Sequence, residues 1–296
     1  MSPENFDGSH DTADAPDATG AGRAVEALLE ELGEETQTQP AGYLGGLRGR
    51  TAVISGGATG IGRCTAIEFA RCGTNVAFNW IDLPGRSISE EAASVEQELQ
   101  QLEVKVLAEK VDVRDPEAVG PFIERVRQGM GGVHFLVNAA GVHRSAPIWK
   151  LTDEDWKEVV DVNLTGAFNM IRAVAPILKS QRYGKIVNIA SIHAFLGSFG
   201  VANYAASKSG LVGLTRSAAA ELGPSNVNVN AVAPGYVRTE MLADVPEHVV
   251  TESMEASALR RLPQAADVAN VVLFLCSELA RQITGQVIRV DCGLPG

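Results

Sequence analysis

Cysteine and histidine are both scarce in this sequence. The four cysteines are scattered and form no Cys-x-x-Cys pair, so the sequence indicates neither a zinc site nor a redox dithiol. The five histidines show no spacing typical of metal ligands. We therefore predict reduced, packed cysteines and a chemistry without a metal ion. These residues are Cys64, Cys72, Cys276, Cys292, His10, His134, His143, His193 and His248.

Long apolar runs and excess positive charge are also missing. The longest strongly apolar stretch, Val271 to Cys276, is far shorter than the roughly 20 residues that cross a bilayer. The 25 Lys and Arg residues are outnumbered by 36 Asp and Glu and form no basic stripe, which argues against non-specific nucleic-acid binding. The acidic start lacks the basic and apolar segments of a secretory signal. We expect a cytoplasmic protein with neither a nucleic-acid nor a membrane partner.

Acidic residues are concentrated at the start of the chain, where residues 1–45 contain ten Asp and Glu but only one Arg. Residues 1–20 have almost no large apolar side chains, which is typical of disorder. Apolar residues at helical spacing predict a short amphipathic helix over Ala24 to Leu32. We therefore divide the chain into an acidic N-terminal extension, residues 1–45, and one larger domain, residues 46–296.

From Thr51 onward, short β-rich runs alternate with helical stretches. This pattern is typical of a parallel sheet whose connecting helices cover both faces. Right-handed crossovers between such strands give a doubly wound sheet. We predict a single α/β domain of the Rossmann type, with about seven parallel strands and helices on both faces. The predicted strands are Thr51 to Ser55, Val76 to Trp80, Lys105 to Val111, Phe135 to Asn138, Lys185 to Ala190, Val227 to Val232 and Gln286 to Val290.

A glycine-rich turn, Ser55 to Gly62, follows the first predicted strand and opens a helix that continues to Cys72. Glycine at these positions lets backbone N–H groups approach a pyrophosphate, and the helix N-terminus adds partial positive charge. An isolated glycine-rich turn is often only a tight turn. Its position between a strand and a helix indicates a dinucleotide site.

Tyr204 and Lys208 are four residues apart in a helical stretch, Ala202 to Leu222. That spacing puts a phenol and an ammonium group on the same helix face. Such a pair often arises by chance, as a partly buried aromatic residue beside a solvated lysine. Beside a dinucleotide site, it indicates acid-base chemistry.

Several further segments complete a resemblance to the short-chain dehydrogenase/reductase family. They are Asn138-Ala139-Ala140-Gly141, Asn163, Ser191 and Pro234-Gly235, and the resemblance covers the chain from about Leu47 to its end. It implies an enzyme that interconverts a ketone and a secondary alcohol by hydride transfer with NAD(P).

The resemblance also implies a role for each catalytic residue. Tyr204 would be the general acid in reduction and the general base in oxidation. Lys208 would lower the pKa of the phenol and bind the nicotinamide ribose. Ser191 would hydrogen-bond the substrate carbonyl oxygen. Asn163 would hold a water that links Lys208 to bulk solvent.

The implied cofactor contacts come from five segments. The Asp112 side chain would bind the adenine amino group with the Val113 backbone beside it, and the segment from Pro234 would contact the nicotinamide carboxamide. Ser55 replaces the family's usual Thr and Ala139 its commoner Asn, and we expect both exchanges to be harmless. The implied cofactor-binding residues are Gly56, Thr59, Gly60, Ile61, Gly62, Asp112, Val113, Asn138, Ala139, Gly141, Tyr204, Lys208, Pro234, Gly235, Val237 and Thr239.

The choice between NAD(H) and NADP(H) depends on the end of the second strand. NAD-dependent relatives usually place an acidic residue there to hold the ribose 2′-hydroxyl, whereas this chain has Trp80. Asp82 is a substitute acid, and Arg63 and Arg86 are basic candidates for a 2′-phosphate. We favour NADP(H), with NAD(H) as the alternative.

The substrate hypotheses rest on scaffold segments. Lys150 to Trp156 and Arg260 to Pro263 look like bacterial 3-oxoacyl-carrier-protein reductases and acetoacetyl-CoA reductases, so a 3-oxoacyl thioester is the first hypothesis. Dehydrogenases of cyclic or aromatic secondary alcohols share these features and are the alternative. A nucleotide-sensing regulator would also keep the site, and the acidic extension would suit it.

The resemblance places the family's mobile substrate lid at Met241 to Leu259. It also implies that two subunits pair through the helix that carries Tyr204. Small residues in that helix permit close packing, so we predict a homotetramer or dimer. The candidates for the substrate pocket are Met241, Leu242, Val245, His248, His143, Arg144 and His193. The basic residues available to bind a carrier protein are Arg172, Lys179 and Arg182.

Overall fold

The structure is a computed structural model that describes residues 44–295 except Pro84, Met241, Ala243 and Asp244. Apart from its last two residues, the predicted N-terminal extension lies outside the described residues, as does its predicted helix. Of those last two residues, Leu44 packs against the core of the domain.

Seven parallel strands form one sheet in the order β3-β2-β1-β4-β5-β6-β7. The predicted fold class is confirmed, and each predicted strand is present with bounds that differ by at most two residues. The strands are β1 Thr51–Ser55, β2 Asn75–Trp80, β3 Val106–Lys110, β4 Phe135–Asn138, β5 Gly184–Ile189, β6 Val227–Pro234 and β7 Val287–Val290.

Eight α-helices occur in the part of the chain that the structure describes. They are α1 Gly60–Arg71, α2 Ser89–Gln100, α3 Pro116–Met130, α4 Asp153–Val160, α5 Gly166–Gln181, α6 Ala202–Leu222, α7 Glu247–Ala256 and α8 Ala265–Cys276. Local sequence explains several helix starts. For example, the Thr152 hydroxyl caps α4 by accepting the backbone N–H of Asp155.

The core has two layers, one on each face of the sheet. Ile54 of β1 points into the layer formed with α1, α2 and α8, whereas its neighbour Val53 points into the layer formed with α3, α5 and α6. Both side chains are fully buried. A strand that is buried on both faces needs a continuous apolar run, as the β1 sequence has.

Three strands end at a residue other than the predicted one, and each of them leads into a loop of the site. The fifth strand ends at Ile189 and the third at Lys110, so Ser191 and Asp112 lie in loops two residues beyond their strands. The sixth strand continues to Pro234, which pairs with Val290 of β7. The sixth strand is longer than predicted because it pairs with β7, and local sequence does not encode that pairing.

The strand order reverses between β1 and β4, because their chain connections leave toward opposite edges of the sheet. Loops that follow these strands diverge and leave a crevice at the carboxyl edge, where doubly wound sheets bind their ligands.

Candidate active site

The glycine-rich turn joins β1 to α1 at this carboxyl edge. Gly56 has a φ of +67°, a left-handed conformation that favours glycine, and a Cβ there would lie 2.8 Å from the Cα of Ala140. Thr59 is the N-cap residue of α1 but makes no side-chain capping bond. The first backbone N–H groups of α1 therefore suit an anionic ligand, which fits a cofactor pyrophosphate.

Ser55 connects the two turns that border the crevice. Its hydroxyl oxygen accepts hydrogen bonds from the backbone N–H groups of Ala139 and Ala140, each at 3.2 Å. Because Ser55 is buried, these bonds fix the turn after β4 against the turn after β1. The sequence indicates this hydroxyl only as an exchange for Thr and gives no signal of the structural role.

The end of β2 offers no free carboxylate. Trp80 is its last residue, and the indole Nε1 is buried without a hydrogen-bond partner among the described residues. Asp82 accepts hydrogen bonds from Lys110 Nζ at 2.5 Å and from the Ile88 backbone N–H at 2.8 Å. The hydrogen bond from Lys110 lowers the pKa of Asp82. The substitute acid is therefore already held by protein partners.

The two basic candidates for a 2′-phosphate are both paired with acids. Arg63 lies in the first turn of α1 and donates to Glu98 at 2.7 Å, and Arg86 donates to Glu91 at 2.6 Å. Both pairs are exposed, so each contributes little energy and a phosphate could displace the carboxylate.

Asp112 is held by a neighbour. The Arg114 guanidinium donates to Asp112 Oδ2 at 2.6 Å, and the Arg114 backbone N–H donates to Oδ1 at 2.9 Å. Burial alone would raise the pKa of Asp112, but the hydrogen bonds from Arg114 lower it. The carbonyl of Val113 accepts from Asn169 at 3.0 Å. The loop after β3 thus presents an ionised, oriented carboxylate.

Asn138 begins a buried chain of polar side chains. It donates to Asn188 at 2.8 Å, and Asn188 donates to Thr215 at 2.9 Å, which links β4, β5 and α6. Asn138 Oδ1 is buried without a partner in the described part of the chain. Since buried polar atoms are rarely unpaired, this orphan acceptor fits a site that a ligand completes.

Asn163 lies in a π-helical segment, Asp161–Thr165, between α4 and α5. Such segments occur often at functional sites. The buried Asn163 side chain accepts from the Val142 N–H at 2.8 Å and donates to the Val142 carbonyl at 3.0 Å. It also donates to the Ser207 hydroxyl at 3.2 Å. Asn163 thereby fastens the loop after β4 to α6.

Ser191 and Tyr204 are brought together from the loop after β5 and the first turn of α6. The Ser191 hydroxyl is close enough to the phenol to lower the pKa of Tyr204 by hydrogen bonding, but burial has the larger effect and raises that pKa. Ser191 Oγ also accepts the backbone N–H of His193 at 3.2 Å. Two hydroxyl groups therefore converge where a substrate oxygen would bind.

Lys208 lies one turn along α6 and is only 4% exposed. Its Nζ donates to the Ile189 carbonyl at 2.7 Å and lies 5.6 Å from the centroid of the Tyr204 ring. A Cβ on Gly141 would lie 3.7 Å from the same Nζ, so the loop after β4 runs close to the ammonium group. Burial lowers the pKa of Lys208 to about 8.

The loop after β6 approaches the glycine-rich turn. The Gly235 N–H donates to Val290 at 3.0 Å, and a Cβ on Gly60 would lie 3.6 Å from Thr239 Cγ2. The two predicted cofactor segments therefore meet, with Val237 buried between them and the core. A cavity of about 660 Å³ opens here, lined by Gly60, Arg63, Cys64, Arg238, Thr239, Glu240, Leu242 and Ala265.

Two of the pocket candidates flank Tyr204. The His143 ring lies 5.2 Å from the Tyr204 ring between centroids, and the His193 ring lies 6.0 Å from it on another side. Arg144 pairs with Glu158 instead. Of the lid candidates, Leu242 lines the cavity, Val245 and His248 lie before or in α7, and Met241 is outside the described residues.

Three large apolar side chains are exposed on loops that also carry site residues, a feature that the sequence did not indicate. Ile148, Trp149 and Phe199 are each more than 70% exposed, and the last two rings are in edge contact at 6.1 Å. They belong to the loops after β4 and β5, which also carry Gly141 and Ser191. We call these three residues the apolar lip.

Residues 44–295, with the four gaps named above, contain no group of three or more His, Cys, Asp or Glu side chains placed to hold a metal ion. Over the same residues, the structure has no helix with the length and hydropathy of a membrane span.

Comparison with known proteins agrees with this geometry. A family model described as enoyl-(acyl carrier protein) reductase matches residues 56–295. The 3-oxoacyl-[acyl-carrier-protein] reductase FabG of Thermotoga maritima is 38% identical over 248 residues, which cover 84% of this chain and 98% of that protein. The FabG proteins of Aquifex aeolicus and Staphylococcus aureus are 38% and 36% identical.

A solved structure is similar as well. The crystal structure of a protein described as a short-chain alcohol dehydrogenase from Sinorhizobium meliloti 1021 has a TM-score of 0.78 and 34% identity, and the match covers 83% of this chain and 96% of that one. The chain therefore belongs to the short-chain dehydrogenase/reductase family, and it is an oxidoreductase that interconverts CH–OH and carbonyl groups with a nicotinamide cofactor.

Proposed function

We propose that this enzyme interconverts 3-oxoacyl and 3-hydroxyacyl thioesters with NADP(H). The observation that carries the proposal is the convergence of Ser191, Tyr204 and Lys208 beside the glycine-rich turn. Relatives at 36–38% identity that are named 3-oxoacyl-[acyl-carrier-protein] reductase support the substrate class.

Each catalytic residue has a role that follows from the hydrogen it can donate. In reduction, a nicotinamide cofactor held beside the glycine-rich turn and Lys208 would supply the hydride to the ketone carbon. Tyr204 gives its phenolic proton to the ketone oxygen, and Ser191 donates a hydrogen bond to that oxygen as negative charge develops. The Lys208 ammonium, 5.6 Å from the ring, stabilises the phenolate that remains.

The ionisation of Lys208 suits this role at neutral pH. A pKa of about 8 leaves the ammonium mostly charged at pH 7, although burial alone disfavours the charge. The Asn163 side chain is occupied by Val142 and Ser207, so it positions the loop beside Lys208. Its part in a water-mediated proton path stays a prediction.

We propose NADP(H) rather than NAD(H) as the preferred cofactor. The support is the occupied state of Asp82 and the absence of an acid at Trp80, which together leave the 2′-hydroxyl of NAD without its usual acceptor. Arg63 is the favoured phosphate partner, because it lines the cavity beside Gly60.

The test of cofactor preference is the Kd of NADPH and NADH, measured by calorimetry. Arg63→Ala should weaken NADPH binding about 10-fold or more and leave NADH binding nearly unchanged. Arg86→Ala is the matched control, because Arg86 has a similar exposed acid partner. Tighter NADH than NADPH binding in the unaltered protein would refute the preference.

We also propose a homotetramer or dimer that pairs α6. From Ala202 to Gly213 its exposed residues, Ala206, Ser209 and Gly213, are all small, and a Cβ on Gly213 would meet no atom within 4 Å. Light scattering at micromolar concentration tests this, and a monomer would contradict it. The division at residues 45 and 46 and the cytoplasmic location likewise stay predictions.

The experiment for the activity itself is a spectrophotometric scan of NADPH and NADH oxidation. Its substrates are acetoacetyl-CoA, crotonyl-CoA, a cyclic ketone and an aromatic ketone. Preference for acetoacetyl-CoA would support the proposal. Preference for a cyclic or aromatic ketone would favour the alternative dehydrogenase, and reduction of crotonyl-CoA alone would indicate enoyl reduction. Binding of cofactor without turnover on any substrate would favour the nucleotide-sensing regulator.

A further inference from the structure

Glu240 places a negative charge in a cavity that otherwise suits an anion. The cavity beside the glycine-rich turn is lined by two basic residues, Arg63 and Arg238, and among the described residues Glu240 is the one acid in that lining. Gly60, the first residue of α1, lines it as well. Because α1 has no acidic residue in its own first turn, the helix itself does not oppose an anion at its start.

The Glu240 carboxylate lies close to the glycine-rich turn. Its Oε2 is 3.9 Å from the position that a Cβ on Gly60 would take, and Cγ2 of Thr239, a predicted cofactor contact, is 3.6 Å from the same position. The pKa of Arg86, in the loop after β2, is raised mainly by its hydrogen bond to Glu91 and further by the charge of Glu240. The carboxylate is therefore beside the turn and within electrostatic reach of the loop after β2.

No described side chain neutralises the Glu240 carboxylate. Arg63 and Arg86 are each paired with another acid. Arg238 and Glu240 line the same cavity, but over the described residues neither one has an ion pair or a side-chain hydrogen bond. Glu240 is exposed, so water solvates its charge before a ligand arrives. A ligand that enters the cavity meets this charge directly.

This position matters because a nicotinamide cofactor is itself an anion. NADPH and NADH both carry a pyrophosphate, which suits the first backbone N–H groups of α1. A glutamate is negatively charged at neutral pH and repels an anion held at the same helix start. Since the pyrophosphate is common to both cofactors, such a repulsion acts on each of them.

We propose that Glu240 sets the affinity of this enzyme for its cofactor by repelling the cofactor's pyrophosphate at the start of α1. Weaker binding favours exchange of the used cofactor, which an oxidoreductase needs after each turnover. The inference goes beyond the proposed function. It depends on a dinucleotide cofactor, which the family uses, but neither on a thioester substrate nor on a preference for NADP(H).

The test is the Kd of NADPH, NADH and ADP-ribose, measured by calorimetry on the unaltered protein and on Glu240→Gln. Glutamine keeps the size of the side chain and removes its charge, so the variant should bind all three ligands about 3-fold to 10-fold more tightly. The difference should shrink at about 1 M salt, where the Debye length is about 3 Å.

Glu252→Gln is the matched control. Glu252 is exposed in α7 and does not line the cavity, so the variant removes the same charge at a position away from the glycine-rich turn. Screening by salt should leave each Kd within about 2-fold of the unaltered value. Melting temperatures establish that both variants are folded.

Three outcomes would overturn the inference. Unchanged or weaker binding by Glu240→Gln would show that the carboxylate does not repel the cofactor. Equal tightening in Glu252→Gln would assign the effect to net charge alone. Tightening in Glu240→Ala but not in Glu240→Gln would assign it to the bulk of the side chain. Because these measurements contain no substrate, failure of the proposed thioester activity would leave their result unaffected.

Discussion

The buried ammonium group of Lys208 should lower the stability of the fold that it serves. Burial shifts its pKa from 10.5 to about 8, which corresponds to roughly 3 kcal/mol of unfavourable free energy in the folded protein at neutral pH. Since the pKa is lower in the folded state, the unfolded chain binds more protons between pH 8 and 10.5. Stability should therefore rise with pH through this window, and the full penalty applies below pH 8.

Lys208→Met keeps the length of the side chain and removes the charge. The variant loses the hydrogen bond from Nζ to the Ile189 carbonyl, which costs about 1 kcal/mol. The net gain at pH 7 is about 2 kcal/mol, or an increase of roughly 4–8 °C in Tm for a domain of this size. The gain should shrink as the pH approaches 10. Turnover should be lost and the Kd of the cofactor should rise.

The assay is thermal and urea unfolding of cofactor-free protein at pH 7.0, 8.5 and 9.5, with two-state behaviour checked first. Lys185→Met is the matched control, because burial also lowers the pKa of Lys185 while its Nζ bonds Asn228, away from the site. It should retain turnover. A Lys208→Met variant that is less stable at pH 7, or whose stability difference does not change from pH 7 to 9.5, would refute the reasoning.

Three further predictions concern single side chains. Tyr204→Phe should lower kcat about 100-fold to 10,000-fold and leave the Kd of the cofactor nearly unchanged; near-native kcat would exclude Tyr204 as the acid. Ser55→Ala should cost about 1–3 kcal/mol in urea unfolding, because two backbone N–H groups lose their acceptor, whereas Ser55→Thr should be nearly neutral. Trp149→Ala should raise KM about 5-fold or more for a long-chain 3-oxoacyl thioester but little for acetoacetyl-CoA. Leu279→Ala, an exposed apolar control outside the lip, should change neither KM, and an equal rise for both substrates in Trp149→Ala would contradict a role of the lip in chain binding.

The strands were predictable because each carries its own signal. Strand β1, Thr51–Ser55, has an apolar centre from Ala52 to Ile54 and is followed by the glycine-rich turn, so its position follows from local sequence. Strand ends were less predictable. Pro234 belongs to β6 because Val290 of β7 pairs with it, and that partner is 56 residues away in the chain.

The site likewise has one part that the sequence predicts and another that only the structure shows. The glycine-rich turn, Tyr204 and Lys208 can be recognised from their spacing, because phosphate binding and acid-base chemistry need particular residues at particular intervals. The contacts that hold these residues in place cannot be recognised from the sequence. Ser55 reaches the backbone after β4 only because the sheet order puts β1 beside β4, and Asn163 reaches Val142 only because the π-helical segment packs against the loop after β4.

The sequence alone thus establishes the alternation of strands and helices, the dinucleotide turn and the catalytic residue types, since these depend on periodicity and on short intervals. Tertiary packing decides the charge states and the neighbours. The low pKa of Lys208, the occupied carboxylate of Asp82 and the Asn138 Oδ1 that has no partner among the described residues all arise from burial and from the packing of segments distant in the chain. Desolvation and long-range hydrogen bonding leave no periodic trace in a sequence, so these properties could be found only in the folded molecule.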